Sequence, residues 1–190
     1  MTSMTKDKII SLKSLLNNDN EECFDQTITH EYKNIVDDLL KNSTKKQIVH
    51  SLISDINFYE RKDSTLTSFQ RNVREGDLVI IDFGKQYRYE CSYVHPALVV
   101  AKMNNKVMVV PMSSNDKMLE KALYLKKDNL CPLLSSGEKN IDKHSTLILN
   151  DAKWIAPTRV LQQIGTIDTN STEFKIIKQK LIDIIFGKEH

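Results

Sequence analysis

The chain has 190 residues, 40% of them apolar, which is enough for a buried core but too short for two large domains. A formal net charge of +2 is too small to predict nucleic-acid binding by itself. The charge is unevenly spread: residues 1–70 carry 9 Lys and Arg against 11 Asp and Glu, and the remainder carries 18 against 14, a pattern that fits either nucleic-acid binding by the second portion or ordinary surface charge.

In chain order, residues 5–16 place Ile9, Ile10, Leu12, Leu15 and Leu16 on a helical period, which the Asn-Asn-Asp-Asn run at 17–20 breaks. A second helix is predicted over 28–41, with Tyr32, Ile35, Val36, Leu39 and Leu40 on one stripe. Ser43 and Thr44 supply an N-cap for a third, over 45–61, striped by Ile48, Val49, Leu52, Ile53, Ile56 and Tyr59. Residues 62–73 read as a linker. From 74 onward the period becomes that of strands: GDLVIIDF, HPALVVAKM and KVMVVPM are rich in Val and Ile, and Asn104-Asn105 makes a tight antiparallel hairpin between the second and third. A strand is expected within 120–127, another over 146–149, and a helix over 173–186 that Gly187 ends. The fold class that follows is α+β: a small SH3-like antiparallel β-barrel with a C-terminal helix, preceded by an all-α N-terminal region. The domain boundary is placed after residue 70, giving a helical extension over 1–70 and a barrel domain over 71–190.

Three cysteines, Cys23, Cys91 and Cys131, are an odd number without paired spacing, so free thiols in a reducing compartment are expected rather than a disulfide framework or a metal site. No metal or other cofactor is called for. The N-terminal MTSMTKDK lacks the apolar core of a signal peptide, and no apolar run approaches the ~18 residues of a membrane helix, so a soluble, cytoplasmic chain with no membrane partner is expected.

Between the first two strands lies a polar loop, KQYRYECSYV, with three tyrosines, an arginine and a glutamate, the decoration of a surface site. Four pieces now fall in order: Gly76-Asp77 opening a strand; Glu90 followed by Pro96; Pro111-Met112-Ser113-Ser114 closing the third strand; and Gln162-Gln163-Ile164-Gly165-Thr166-Ile167-Asp168 before the last helix. Together, over about residues 74–186, they resemble the MazF/PemK family of toxin ribonucleases. The departures are at functional positions. His95 stands where the family has its catalytic Arg, Ser113 where it has a Thr, and Gly165 where it has a second Arg.

The resemblance implies a toxin of a type II toxin–antitoxin pair. It implies metal-independent, sequence-selective cutting of single-stranded RNA, in which the ribose 2′-OH attacks the adjacent phosphate and leaves a 2′,3′-cyclic phosphate and a 5′-OH. It also implies a homodimer whose basic groove is blocked by a cognate antitoxin protein. The catalytic candidates are His95, Ser113 and Glu90: an imidazole that titrates near neutrality, a hydroxyl that donates to a phosphate oxygen, and a carboxylate that takes a proton or holds a cation. Arg88 is a candidate phosphate ligand in place of the missing arginine, with Ser114, Gln163 and Lys153 as further RNA contacts. Tyr87 and Tyr89 are candidates for stacking unpaired bases, and Tyr93 and Trp154 share that reading with simple packing. Arg159 and Lys102 are weaker phosphate candidates, and the other histidines join no constellation. The competing reading is a barrel that has lost catalysis and binds nucleic acid or protein without cutting.

Overall fold

The computed structural model describes residues 26–125, 127–133 and 143–187. The chain separates into two compact units, Met1–Ile48 and Val49–His190. The helix expected over 5–16 lies outside the described residues.

In the first unit, helix α1 (Gln26–Lys41) leaves Tyr32, Leu39 and Leu40 exposed and half-buries Ile35 and Val36. Its C-terminal end is held by Asn42 and Ser43, whose side chains donate to the carbonyls of Asp38 and Leu39. Helix α2 (Lys45–Arg61) then begins at Thr44, whose hydroxyl accepts from the Gln47 amide while the Gln47 side chain accepts from the Thr44 amide. This is the reciprocal cap that a Thr-x-x-Gln spacing allows.

The second unit contains the rest of α2 and a sheet. The segment read as a linker contains a short helix, α3 (Ser68–Asn72), with its own reciprocal cap between Thr67 and Gln70. Gln70 is buried and donates to the carbonyls of Thr158 and Val160, which anchors the segment to the far end of the fold. Strands β1 (Asp77–Asp82), β2 (Val94–Met103) and β3 (Lys106–Ser113) form an antiparallel meander. The β2–β3 hairpin turns at Asn104, which takes a positive φ of 50°.

Helix α4 (Asp116–Leu123) follows, capped by the Asn115 side chain. The expectation of a strand within 120–127 thus gives way to a helix, because Asn115 accepts from the amides of Lys117 and Met118 and starts the helical turn before the Leu-Tyr-Leu run. After it come β4 (Leu130–Leu133), β5 (Ser145–Ile148), β6 (Lys153–Ile155), β7 (Val160–Thr166) and helix α5 (Thr172–Phe186).

The strand order is β4-β5-β3-β2-β1-β7, with β6 on β3. Five strands therefore run β7-β1-β2-β3-β6, and a single 3-10 turn (Pro157–Arg159) carries the chain from β6 straight into β7. The two edges of the ribbon are joined by four residues, 156–159, so the sheet curls into a small barrel. Bulges between Val99 and Ala101 in β2, and at two points where β1 meets β7, supply the bend.

Alternation along the strands separates two cores. Val79, Ile81, Phe83, Ala97, Val99, Val107, Val109, Ile155 and Val160 fill the inside of the curl. Leu78, Leu98, Val110, Met112 and Leu147 face the other way and pack with Phe174, Ile177 and Leu181 of α5. Each fully buried aliphatic side chain contributes about 1.5–3 kcal/mol.

Gly76 closes the entry to β1. Its φ is +87°, and a Cβ there would stand 2.4 Å from the Ile167 carbonyl oxygen, so the close pass of the two strands requires glycine. The Asp77 carboxylate accepts from the Arg74 amide at 2.9 Å and caps the turn into the strand.

Candidate active site

The β1–β2 loop is pinched at its base, where the Phe83 amide donates to the Tyr93 carbonyl at 2.9 Å and the Tyr93 amide to the Gly84 carbonyl at 2.7 Å. Within it, Tyr89 (φ 79°) and Tyr93 (φ 63°) hold left-handed backbone that side chains of their size rarely adopt. Such strain costs on the order of 1–3 kcal/mol per residue and gathers at ligand-handling segments. Tyr87 and Tyr89 are 86% and 88% exposed, so neither ring serves the core. The Arg88 guanidinium lies over the Tyr89 ring, 4.9 Å from its centre. Glu90 accepts from the Tyr87 amide at 3.3 Å and stabilises the turn of the loop.

His95 is half-buried on β2 opposite Ile81. Ser113 ends β3 opposite Thr146 of β5. The β2–β3 ladder stops at Ala97↔Pro111, so His95 and Ser113 each lie two residues past the last pair, where the strands part toward β1 and β5. Alternation puts both on the same face, since Ala97 and Val99 of β2 and Val107 and Val109 of β3 all line the inner core. The Ser113 hydroxyl accepts from the Asn115 amide at 3.3 Å, and Ser114 is exposed beside it. The Thr146 hydroxyl, buried across from Ser113, has no hydrogen-bond partner among the described residues.

Burial pushes the His95 imidazole below its ordinary pKa of 6.5, and the nearby His50 adds to the effect. His50 comes from α2, with its ring 5.6 Å from that of Tyr93. Sequence reasoning gave it no role: 45 positions separate it from His95, and no motif links them. The only signal available was its place on the polar face of an amphipathic helix.

Lys153 forms an ion pair with Asp151 at 2.8 Å and lies 5.5 Å from the centre of the Phe83 ring. The second oxygen of Asp151 accepts from the Cys91 amide at 2.6 Å, so this pair ties β6 to the loop. Burial and the Asp151 carboxylate push the Cys91 thiol up to about 11, which keeps it protonated near neutrality.

Gln163 is held elsewhere. Its amide donates to the buried Asp77 carboxylate at 2.9 Å, at the end of β1 opposite the loop. Burial raises the Asp77 pKa above 3.8. Lys102 spends its ammonium on the carbonyls of Arg71 and Val73. Arg159 donates to the carbonyls of Asp82 and Phe83 and braces the root of the loop. Trp154 is 44% exposed on β6. Among the described residues, no group of three or more His, Cys, Asp or Glu is placed to hold a metal ion.

Residues 74–185 match the sequence profile described as PemK-like, MazF-like toxin of type II toxin–antitoxin system, more than half of the chain. The chain belongs to the PemK/MazF family.

The matched stretch opens just before Gly76 and runs through β1–β7 and nearly all of α5, so it contains the barrel, the loop and both His95 and Ser113. Helices α1 and α2, and with them His50, lie outside it. No curated protein matches the chain in sequence. Among solved structures similar to it are three toxins or endoribonucleases. MazF from Deinococcus radiodurans has 15% identity and a TM-score of 0.47, the alignment covering 60% of this chain and 96% of that one. The Mycobacterium tuberculosis toxin MazF-mt6 has 12% identity and a TM-score of 0.41, covering 60% and 99%. An endoribonuclease in complex with its cognate antitoxin from Mycobacterial species has 8% identity and a TM-score of 0.42, covering 62% and 98%. The PemK/MazF assignment rests on the match over 74–185.

Proposed function

We propose that this PemK/MazF member is a metal-independent endoribonuclease toxin that cuts single-stranded RNA in the cytoplasm and is silenced by a cognate antitoxin protein. The observation that carries the reading is the common face of His95 and Ser113 at the parting of β2 and β3, beside a strained loop with two exposed tyrosines. A mostly neutral His95 takes the proton of the ribose 2′-OH. The 2′-oxygen forms a bond to phosphorus, the bond from phosphorus to the 5′-oxygen breaks, and that oxygen takes a proton from solvent water while His95 returns its own to solvent. Ser113 donates to a non-bridging phosphate oxygen, with Ser114 beside it. Arg88 meets the phosphate backbone from the loop, Glu90 holds the loop's turn through the Tyr87 amide and is the carboxylate available to take a proton, and Tyr87 and Tyr89 stack the flanking bases. Lys153 and Gln163 act through their neighbours, one by bracing the loop and the other by holding Asp77.

In this reading the active species is a homodimer of barrel domains over 71–190, each with a helical extension over 1–70. Cleavage of a labelled RNA in EDTA tests it. His95→Ala lowers the rate about 10²- to 10⁴-fold, as loss of a general base does. Ser113→Ala lowers it about 10- to 100-fold, as loss of one hydrogen bond to a charged group does. Product ends carry a 2′,3′-cyclic phosphate and a 5′-OH. Tight binding with uncut RNA for the wild type would instead identify a binding module that has lost catalysis, the outcome that the His95 and Gly165 replacements favour.

A further inference from the structure

A second site lies apart from the His95 and Ser113 face, between α2 and the root of the loop. The space is about 400 Å³, bounded by α2, the start of the β1–β2 loop and the 3-10 turn before β7. Four cations line it, Arg61, Lys62, Lys85 and Arg159, against two carboxylates, Asp55 and Asp82. Both carboxylates are already engaged. Asp55 pairs with Lys85 at 2.9 Å, and Asp82 accepts from Ser54, Asn57 and the Gly84 amide. Among the cations, Lys85 is spent on Asp55, Lys62 pairs with Asp63 at 3.5 Å, and Arg159 donates to the Asp82 and Phe83 carbonyls, which leaves the Arg61 fork as the lining's open cationic donor. Arg61 stands out because its Nε is buried and has no hydrogen-bond partner among the described residues.

A buried guanidinium N–H without an acceptor is costly, and a well-folded protein leaves few of them. The fork of N–H groups around Nε matches the oxygens of a phosphate. Phe58, 65% exposed on the wall of the same space, offers a flat apolar surface next to that fork. A cation that seeks two oxygens beside an aromatic ring is the chemistry that recognises a nucleotide: phosphate on the guanidinium, base on the ring.

We propose that this space holds a nucleotide of the RNA strand beyond the cleavage point, its phosphate on Arg61 and its base against Phe58. The inference rests on the reading of the chain as one that grips RNA. It adds a subsite whose phosphate and base contacts, Arg61 and Phe58, come from α2, outside the matched residues 74–185. The strand would run from the His95 and Ser113 face along the loop and be held a second time at its root.

The test is binding of a fluorescein-labelled 2′-O-methyl oligonucleotide, which lacks the attacking hydroxyl, measured by anisotropy over a range of salt. Arg61→Gln is expected to weaken binding about tenfold, the loss of one charge-assisted contact. The slope of log affinity against log salt should fall by about 0.7, one phosphate contact on a single strand. Lys62→Gln, an exposed change that leaves the fold alone, should lower the slope in the same direction and keeps the test valid if Arg61→Gln does not fold. Unchanged affinity and slope in the folded variants would overturn the proposal. So would adenosine monophosphate that binds in an Arg61-dependent way without displacing the oligonucleotide, which would mark a free-nucleotide pocket. Cleavage separates this site from the catalytic reading. Arg61→Gln should leave the cutting of a dinucleotide unchanged while lowering kcat/KM on a longer strand. If wild type cuts nothing yet binding still depends on Arg61, the pocket stands and the catalytic reading falls.

Discussion

His95 shows how one side chain is tuned by its surroundings. Half-burial and the neighbouring His50 both favour the uncharged ring, so the imidazole is a base at neutral pH rather than a cation. The acid limb of the kcat/KM profile for RNA cleavage is therefore expected below pH 6.5. His50→Gln removes the smaller of the two causes, so the limb should move up in pH without passing the ordinary value. A limb that does not move would show that His50 is not felt at the catalytic position. The same depression has a sign for stability: an unfolded His95 takes up its proton first, so the stability it contributes is lost as pH falls from 6.5 through the lowered value.

Helix α2 packs the wrong way round for its sequence. The stripe of Val49, Leu52, Ile53, Ile56 and Tyr59 was the face expected to be buried, yet these residues are 43–77% exposed. The polar side goes inward instead. Ser54 is buried and donates to Asp82 at 2.5 Å, and Asn57 donates to the other oxygen at 2.7 Å. The reason lies in β1, whose last residue is a carboxylate only 6% exposed, and a buried carboxylate must collect donors. Ser54→Ala should lower unfolding free energy in urea by about 1–3 kcal/mol, because it leaves a buried charge short of a partner. Leu52→Gln, on the apolar stripe, should stay within about 0.5 kcal/mol. The reverse order would mean that the apolar stripe, not the Asp82 contact, holds the helix.

At the scale of the whole molecule, the barrel depends on residues far outside its own strands. The second compact unit begins at Val49, not at the first strand, because the carboxylate that ends β1 draws its donors from α2. A chain begun at residue 44, which keeps the Thr44 cap, should unfold in one cooperative transition. A chain begun at residue 71 loses both side-chain donors to Asp82 and the Gln70 bonds to Thr158 and Val160, and should be less stable by about 1–3 kcal/mol, the carboxylate being hydrated once α2 no longer covers it. Equal midpoints in denaturant for the two truncated chains would count against this.

Strands β1, β2, β3 and β5 and the terminal helix were legible in the sequence because each is a local pattern: Val and Ile at period two, Asn-Asn at a hairpin, Phe174, Ile177 and Leu181 at helical spacing; β4 and β6, only four and three residues long, carry no such pattern and were read as loop and turn. The loop was legible because polar, aromatic residues between two apolar runs have nowhere to go but the surface. The helix at 116–123 was missed because a cap, Asn115, overrode an apolar run that reads as a strand. His50 beside His95, the reversed face of α2 and the unpartnered Arg61 could not be read at all. Each is decided by which residues from distant parts of the chain are forced together once Asp82 is buried. By itself the sequence determined the longer elements and the family, since both are carried by neighbouring residues. Only the tertiary structure decided which side chains share a cleft, because proximity across 30 or more positions follows from packing and from no local rule.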